Sequence, residues 1–390
     1  MEACRAEGVR IWAVLFAIPM LVMSACGQNT AGEGRMARDA LVEREACTVE
    51  LPAQWADAIA ASAVDTGGVS TTARAVGPAG EVIAVMDSGA DRELLVIGAD
   101  GSVRELFAMP EPDLFTIGYV GIDERWILFT VVRHPRNANG VLPQVTRIEL
   151  IDRRDGSQRT VAEQSPADVA ASPQRNVLDN AVLSGGTAYW ITRDTYNSET
   201  GVVHAFDPQT GAASEIDSGP ISDLLAGPAG APWSTQGMPN ADLPAAVAAI
   251  PSVDTSSLGT DGTSYGWIVD VPQGGRGIGY WSPETGAVRV SGVTLEVTKF
   301  VRPVLVFDSF VIVDAGGSTS TREASATIID VRSGAVAELT PRTPGQYDMV
   351  VAAKAGTLAL NLWAGPGRGP KESDRAVGVL RSGVLTPLSC

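Results

Sequence analysis

In Tyr280–Val290, YWSPETGAVRV, an apolar run meets a turn on Pro-Glu-Thr-Gly, and a second short run follows. The turn recurs as Asp207-Pro-Gln-Thr-Gly211, Arg153-Arg-Asp-Gly156, Val331-Arg-Ser-Gly334, Arg381-Ser-Gly383 and Ala99-Asp-Gly101. Each copy follows an apolar run and precedes an alternating one, the pattern of two strands joined by a reverse turn. A chain that repeats this unit from end to end is committed to antiparallel sheets formed by sequence neighbours.

The spacing of the runs says how they group. Ser70–Val76, Glu81–Met86, Glu93–Ile97 and Ser102–Ala108 make one set of four. Phe115–Val120, Trp126–Val132, Thr146–Ile151 and Gln158–Ala162 make the next, and Val177–Leu183, Ala188–Thr192, Val202–Phe206 and Ala212–Ile216 the third. Val253–Val293, Leu295–Leu339 and Tyr347–Leu388 read as three more four-strand copies. Four short strands repeated about every fifty residues predict an all-β chain folded as a β-propeller of four-stranded antiparallel blades. Gly219–Ala249 is either a seventh, degenerate blade or a long connection; seven blades are expected, with six the alternative. Trp126, Trp190, Trp267, Phe310 and Trp363 recur at the second strand of a set, where large rings fill the wedge between sheets. Ahead of the repeats, Pro52–Ala63 predicts a short helix, with Trp55 and Ile59 on one face.

The N-terminus is expected to lie outside this body. Arg5 and Arg10 precede the apolar run Ile11–Met23, too short for a comfortable membrane span and right for a signal-peptide core. The following Leu21-Val-Met-Ser-Ala-Cys26 resembles the lipobox of bacterial lipoproteins, with Met23 where that family usually has Leu. The resemblance implies a signal peptide over residues 1–25, lipidation of Cys26, and a protein held on the extracytoplasmic face of the cell membrane. Residues 26–46, Gly-rich at their start, read as a flexible tether, and residues 47–390 as the propeller domain. Two further cysteines, Cys47 and Cys390, sit at the two ends of that domain. Outside the cytoplasm they are expected to be bonded, which would tie the ends together.

The phrases FDPQTGA and WSPETGA are similar to the turns of TolB-like and quinoprotein-like bacterial propellers. The letters agree at the turn only, and the Trp that follows it in quinoprotein repeats is missing. So is the pair of adjacent cysteines that stacks on the quinone. The resemblance implies a fold and no cofactor.

Charge and motif content narrow the function. The formal net charge is −16, which repels phosphate backbones and argues against nucleic acid as a partner. With two histidines a three-His metal site is impossible, and the metalloprotease, P-loop, nucleophile-elbow and EF-hand signatures do not occur. No catalytic residue and no metal ligand is therefore assigned. The long connections fall at one end of the predicted strands, where a rigid scaffold presents binding loops. One carries Arg133, His134 and Arg136 with no acid; another carries Arg368 and Lys371; a third carries Asp194 and Tyr196. These are the candidate ligand contacts, the arginines suiting an anionic group. The expected partner is a protein or cell-envelope ligand. The alternative is an extracytoplasmic enzyme acting on a glycan or peptide, with carboxylates such as Asp194 and Glu199 at the axis mouth.

Overall fold

The computed structural model describes residues 41–133, 145–164, 175–195, 198–221, 224–226, 233–234, 243–250, 253–254, 256–271, 275–294, 304–314, 326–339, 349–363 and 375–390. The chain is mostly β. It opens with β1 (Val42–Glu45), β2 (Cys47–Thr48) and the helix α1 (Ala53–Ala61). The first sheet follows: β3 (Ser70–Val76), β4 (Val82–Asp87), β5 (Arg92–Ile97) and β6 (Val103–Ala108), paired in sequence order. Next come β7 (Phe115–Ile122), β8 (Trp126–Arg133), β9 (Val145–Asp152) and β10 (Gln158–Glu163). After them stand β11 (Arg175–Ser184), β12 (Thr187–Thr195), β13 (Thr200–Asp207) and β14 (Ala212–Pro220). A single pairing of Leu178 with Val145 joins these last two meanders into one eight-stranded sheet.

A lone pair, β15 (Leu224–Leu225) and β16 (Trp233–Ser234), stands where a degenerate repeat was expected, and the short helix α2 (Ala245–Ala248) follows it. Then come β17 (Gly259–Thr260), β18 (Tyr265–Val271), β19 (Gly275–Ser282) and β20 (Gly286–Val293). The next sheet is β21 (Leu305–Phe307), β22 (Phe310–Asp314), β23 (Ala326–Asp330) and β24 (Ala335–Leu339). The last holds β25 (Met349–Lys354), β26 (Thr357–Trp363) and β27 (Arg375–Arg381). The first strand of each meander lies against the first strand of a neighbour: β3 with β7, β7 with β11, β11 with β15, β17 with β21, β21 with β25, and β25 with β3.

The Asp-led copies of the recurrent turn share one chemistry. In Asp207–Gly211 the Asp207 carboxylate accepts the Gln209 N–H at 2.8 Å and the Thr210 hydroxyl at 2.8 Å, while Gly211 N–H closes on the Asp207 carbonyl at 2.8 Å. Asp152 and Asp330 accept the N–H two residues on in the same way, each at 3.0 Å. Gly156, Gly211, Gly286 and Gly334 all take positive φ, which is why glycine closes the motif. These turns also lock neighbours together. Arg153 reaches back to the Glu81 carboxylate and the Asp123 carbonyl, and Arg381 donates to the Gly80 carbonyl at 2.8 Å and to the Thr357 hydroxyl. Asn361, buried in the last sheet, accepts the Ala73 N–H of the first at 2.8 Å.

Trp126, Trp190, Trp267 and Phe310 are all buried; Trp126 and Trp190 share one apolar cluster, and Trp267 packs against Val247 of α2. Trp267 lies flat over Gly279, where a Cβ would stand 2.2 Å from the ring. The Trp363 and Trp233 side chains lie outside the described residues.

Two expectations need correction. Among the described residues the last repeat, Tyr347–Leu388, has three strands of its own; after β27 the chain makes a 3₁₀ turn at Ser382–Val384, and Arg381-Ser-Gly383 leads into no strand. Its outer position is taken by the N-terminal segment: Ala63 bridges Gly378, with Val64 N–H to Val377 O at 2.8 Å and Val379 N–H to Ser62 O at 3.0 Å. The 26–46 tether also extends too far, because Val42–Glu45 pairs in parallel with β20, and Cys47–Thr48 then pairs in parallel with β24. Residues 42–64 thus run as a strap over the outer edges of three sheets in turn. Cys47 is bonded to Cys390, with Cα atoms 5.8 Å apart.

A bulge recurs in the first strands, between Ala73 and Ala75, Ile117 and Val120, Leu178 and Ala181, and Val350 and Ala352. One bulge residue, Tyr119, has its hydroxyl bonded to the Leu183 backbone inside the apolar contact between the second and third meanders. Burial pushes its phenol up to about 12. An unfolded tyrosine titrates near 10, so the folded chain keeps this proton where the unfolded chain loses it. The associated stability is whole below about pH 10 and falls by ~2–3 kcal/mol as pH rises to 12. Tyr119→Phe is expected to flatten that segment of a stability–pH profile, measured by urea unfolding; an unchanged slope would contradict the buried phenol.

Candidate ligand-binding face

The strand boundaries divide the two ends of the sheets. Between the first and second strands the chain turns in two or three residues at β7–β8, β11–β12, β21–β22 and β25–β26, and the turns after β9, β13, β19 and β23 are also tight. The opposite end carries the long connections, Arg133 to Val145, Asp314 to Ala326, and Trp363 to Arg375 among them. A ladder on both sides holds the strand ends there, so each connection starts from a fixed point.

Of the sequence candidates, Arg133 and Asp194 lie within the described residues. His134, Arg136, Tyr196, Arg368 and Lys371 lie outside them, as does Cys26. Arg133 ends β8 opposite Phe115 and is half-buried. Asp194 stands near the end of β12 and is exposed, as is Glu199 at the start of the returning strand. Arg133 and Asp194 therefore occupy the same end of adjacent meanders, one basic and one acidic.

The arginine beside Asp194 does something the sequence reading missed. Arg193 lies opposite Val177, one residue nearer the first-strand bulge than Arg133, which lies opposite Phe115. Its side chain is buried; Nε donates to Asp179 Oδ2 at 2.5 Å, and the two terminal nitrogens donate to the carbonyls of Ser198 at 2.9 Å and Ile221 at 2.8 Å. Asp179 and Asn180 are the bulge residues of β11, and Asn180 accepts the Leu224 N–H at 3.0 Å. In the first sheet Arg92 repeats the device: it pairs with Asp87 at 2.8 Å and donates to the carbonyls of Pro112 and Phe115. Each buried guanidinium pins a returning connection to the sheet through its carbonyls, with a carboxylate neutralising it. Arg92 and Arg193 are thus positioning groups with their donors committed. One signal was available: each is a lone arginine at the edge of an apolar strand, where a charge is kept only with a partner.

Among the described residues no group of three or more His, Cys, Asp or Glu side chains is placed to hold a metal ion. No helix among them is long and apolar enough to cross a membrane. What the face offers chemically is a set of strand ends that carry Arg133 on β8 and Asp194 on β12.

No protein-family model matches the chain, and no curated protein matches it. Among solved structures it is similar to TolB from Acinetobacter baumannii, at 13% identity and a TM-score of 0.31, over 75% of this chain and 61% of that one. It is also similar to virginiamycin B lyase from Staphylococcus aureus, at 11% identity and a TM-score of 0.42, over 82% of this chain and 97% of that one. An oligogalacturonate lyase in complex with manganese aligns at 9% identity and a TM-score of 0.33, over 78% of this chain and 75% of that one. The match with TolB leaves more than a third of that protein's length uncovered.

Proposed function

We propose that the chain is an exported, membrane-anchored lipoprotein whose meanders are the blades of a β-propeller, and that it binds a protein or cell-envelope ligand through the long-connection face. The blade reading is supported by the succession of first strands, with β25 returning to β3. On this reading β15 and β16 are the remnant of a seventh blade. The observation that carries the binding role is the difference between the two ends of the sheets. One is closed by self-capped turns and by arginines spent on neighbouring carbonyls; the other holds the long connections, beside segments that buried Arg92 and Arg193 pin at Phe115, Ser198 and Ile221. A rigid scaffold with variable connections at one end suits recognition. The anchor rests on the lipobox resemblance at Cys26.

The test joins both halves. Cys26→Ala is expected to leave an unlipidated precursor that no longer partitions into detergent, while the wild type does; equal partitioning would remove the anchor. For the face, deletion of Pro135–Leu142 or of Gly365–Pro370 is expected to abolish capture of whatever surface ligand cross-links to the wild type. Each deletion should leave the thermal midpoint within a few degrees, since changing a loop's length twofold alters closure entropy by only ~0.6 kcal/mol. Glu284→Ala, in a tight turn of the other face, should bind normally. Binding that survives both deletions and fails in Glu284→Ala would place recognition on the wrong end.

A further inference from the structure

The strap's two parts are held by different means. From Pro52 onward it belongs to the core: Trp55 and Ile59 are buried, and Ser62–Val64 supply the outer pairing that β25–β27 lack. Residues 42–51 differ. The sheets beneath them, β17–β20 and β21–β24, each have four strands without them. Three of the four β1 residues are exposed, and the Glu43–Arg289 pair at 3.1 Å lies at the surface. Beyond the β1 and β2 ladders, backbone bonds in this part include Ala46 N–H to Ser291 O at 2.8 Å, Cys47 N–H to Gly334 O at 3.1 Å, and Val49 N–H to Val336 O at 2.8 Å. Ala46, Cys47, Val49 and Leu51 pack against the cores of the sheets beneath but are only partly buried. A segment with no fully buried side chain and a one-sided ladder opens at less than the global free energy.

The disulfide is what opposes that opening. Its other end is firmly seated, because Leu388 is buried and its N–H donates to the fully buried Asp330 carboxylate at 3.1 Å. The bond therefore ties a loosely held strand to a tightly held tail.

We propose that Val42–Leu51 is a redox-latched end of the strap: breaking Cys47–Cys390 lets it leave β20 and β24 while the sheets, α1 and Ser62–Val64 stay in place. The reductant is a dithiol. It supplies two electrons and two protons, the Sγ–Sγ bond becomes two thiols, and the dithiol becomes a disulfide. Released, the segment spans about 33 Å when extended, at roughly 3.3 Å per residue. On the anchored reading proposed above, reduction thus adds to the distance at which the sheets can stand from the membrane.

The experiment is hydrogen exchange read by mass spectrometry on the full processed chain, oxidised and after dithiothreitol, with alkylation confirming that both thiols are free. Residues 42–51 are expected to exchange at least about tenfold faster on reduction, while α1 and β21–β24 keep their rates. Cys390→Ser should show the fast pattern without reductant and ignore its addition. Trypsin cleavage after Arg44 should rise in parallel. Unchanged exchange at 42–51 in the fully reduced chain would overturn the proposal. So would loss of protection at 42–51 together with α1 and β21–β24, because the bond would then hold the whole body and not one end.

Discussion

Replacing both Cys47 and Cys390 with Ser lowers the thermal midpoint by about 7 °C and leaves a folded chain at room temperature. The bond spans a sequence separation of 343 residues. In the chain-entropy account, closing so long a loop in the unfolded state is worth roughly 5–6 kcal/mol. At ~2.1 cal/mol/K of unfolding entropy per residue, a body of about 340 residues loses about 7 °C for that amount. Calorimetry on the double variant without reductant measures it. A midpoint within a degree of the wild type would mean that the unfolded chain gains no freedom from losing the crosslink.

Trp55→Ala carries the second large effect, a loss of ~3–5 kcal/mol expected for deleting a buried indole. Trp55 is 1% exposed and meets Phe310 edge-on at 5.1 Å between ring centroids. Its Nε1–H donates to the Thr386 carbonyl at 2.9 Å, so one side chain joins the helix, the β21–β24 sheet and the C-terminal tail. Trp55→Phe should recover most of the packing and lose the bond, costing about 1–2 kcal/mol. Equal destabilisation by the two substitutions, in urea unfolding, would show that the hydrogen bond and not the ring carries the contact.

The sheets were legible because two local signals coincide in each. Alternation with period two marks Ser70–Val76 as a strand, and β3 spans those same residues. The Asp-x-x-x-Gly turn marks where β13 must reverse, since Asp207 caps it from within. The helix was legible because Trp55 and Ile59 lie one turn apart, and both are buried. What escaped has partners far away in the chain. Val42-Glu-Arg-Glu45 is polar and shows no alternation, because an edge strand is defined by the neighbour it joins. The missing outer strand of the last meander could not be found near β27, since it is supplied by Ser62–Val64. The long connections after Arg133, Asp314 and Trp363 were legible as lengths, but the one expected around Asp194 and Tyr196 is short, since β12 runs to Thr195 and β13 begins at Thr200; the pairing of Arg193 with Asp179 depends on a bulge in β11 that no spacing rule locates.

The strap also fixes an order of events. Residues 42–64 leave the ribosome, or a translocation pore, long before β20, β24 and β27 exist. Until the last strands arrive, the first-made segment of the body has no partner, and the sheets that form early stay open at the seam between β3 and β25. Every contact of the strap with a sheet spans a sequence distance that must be closed late, the slow class of folding event. A chain arrested before Arg375 can build its first meanders and still cannot finish, because the seam closes only when the newest residues meet the oldest.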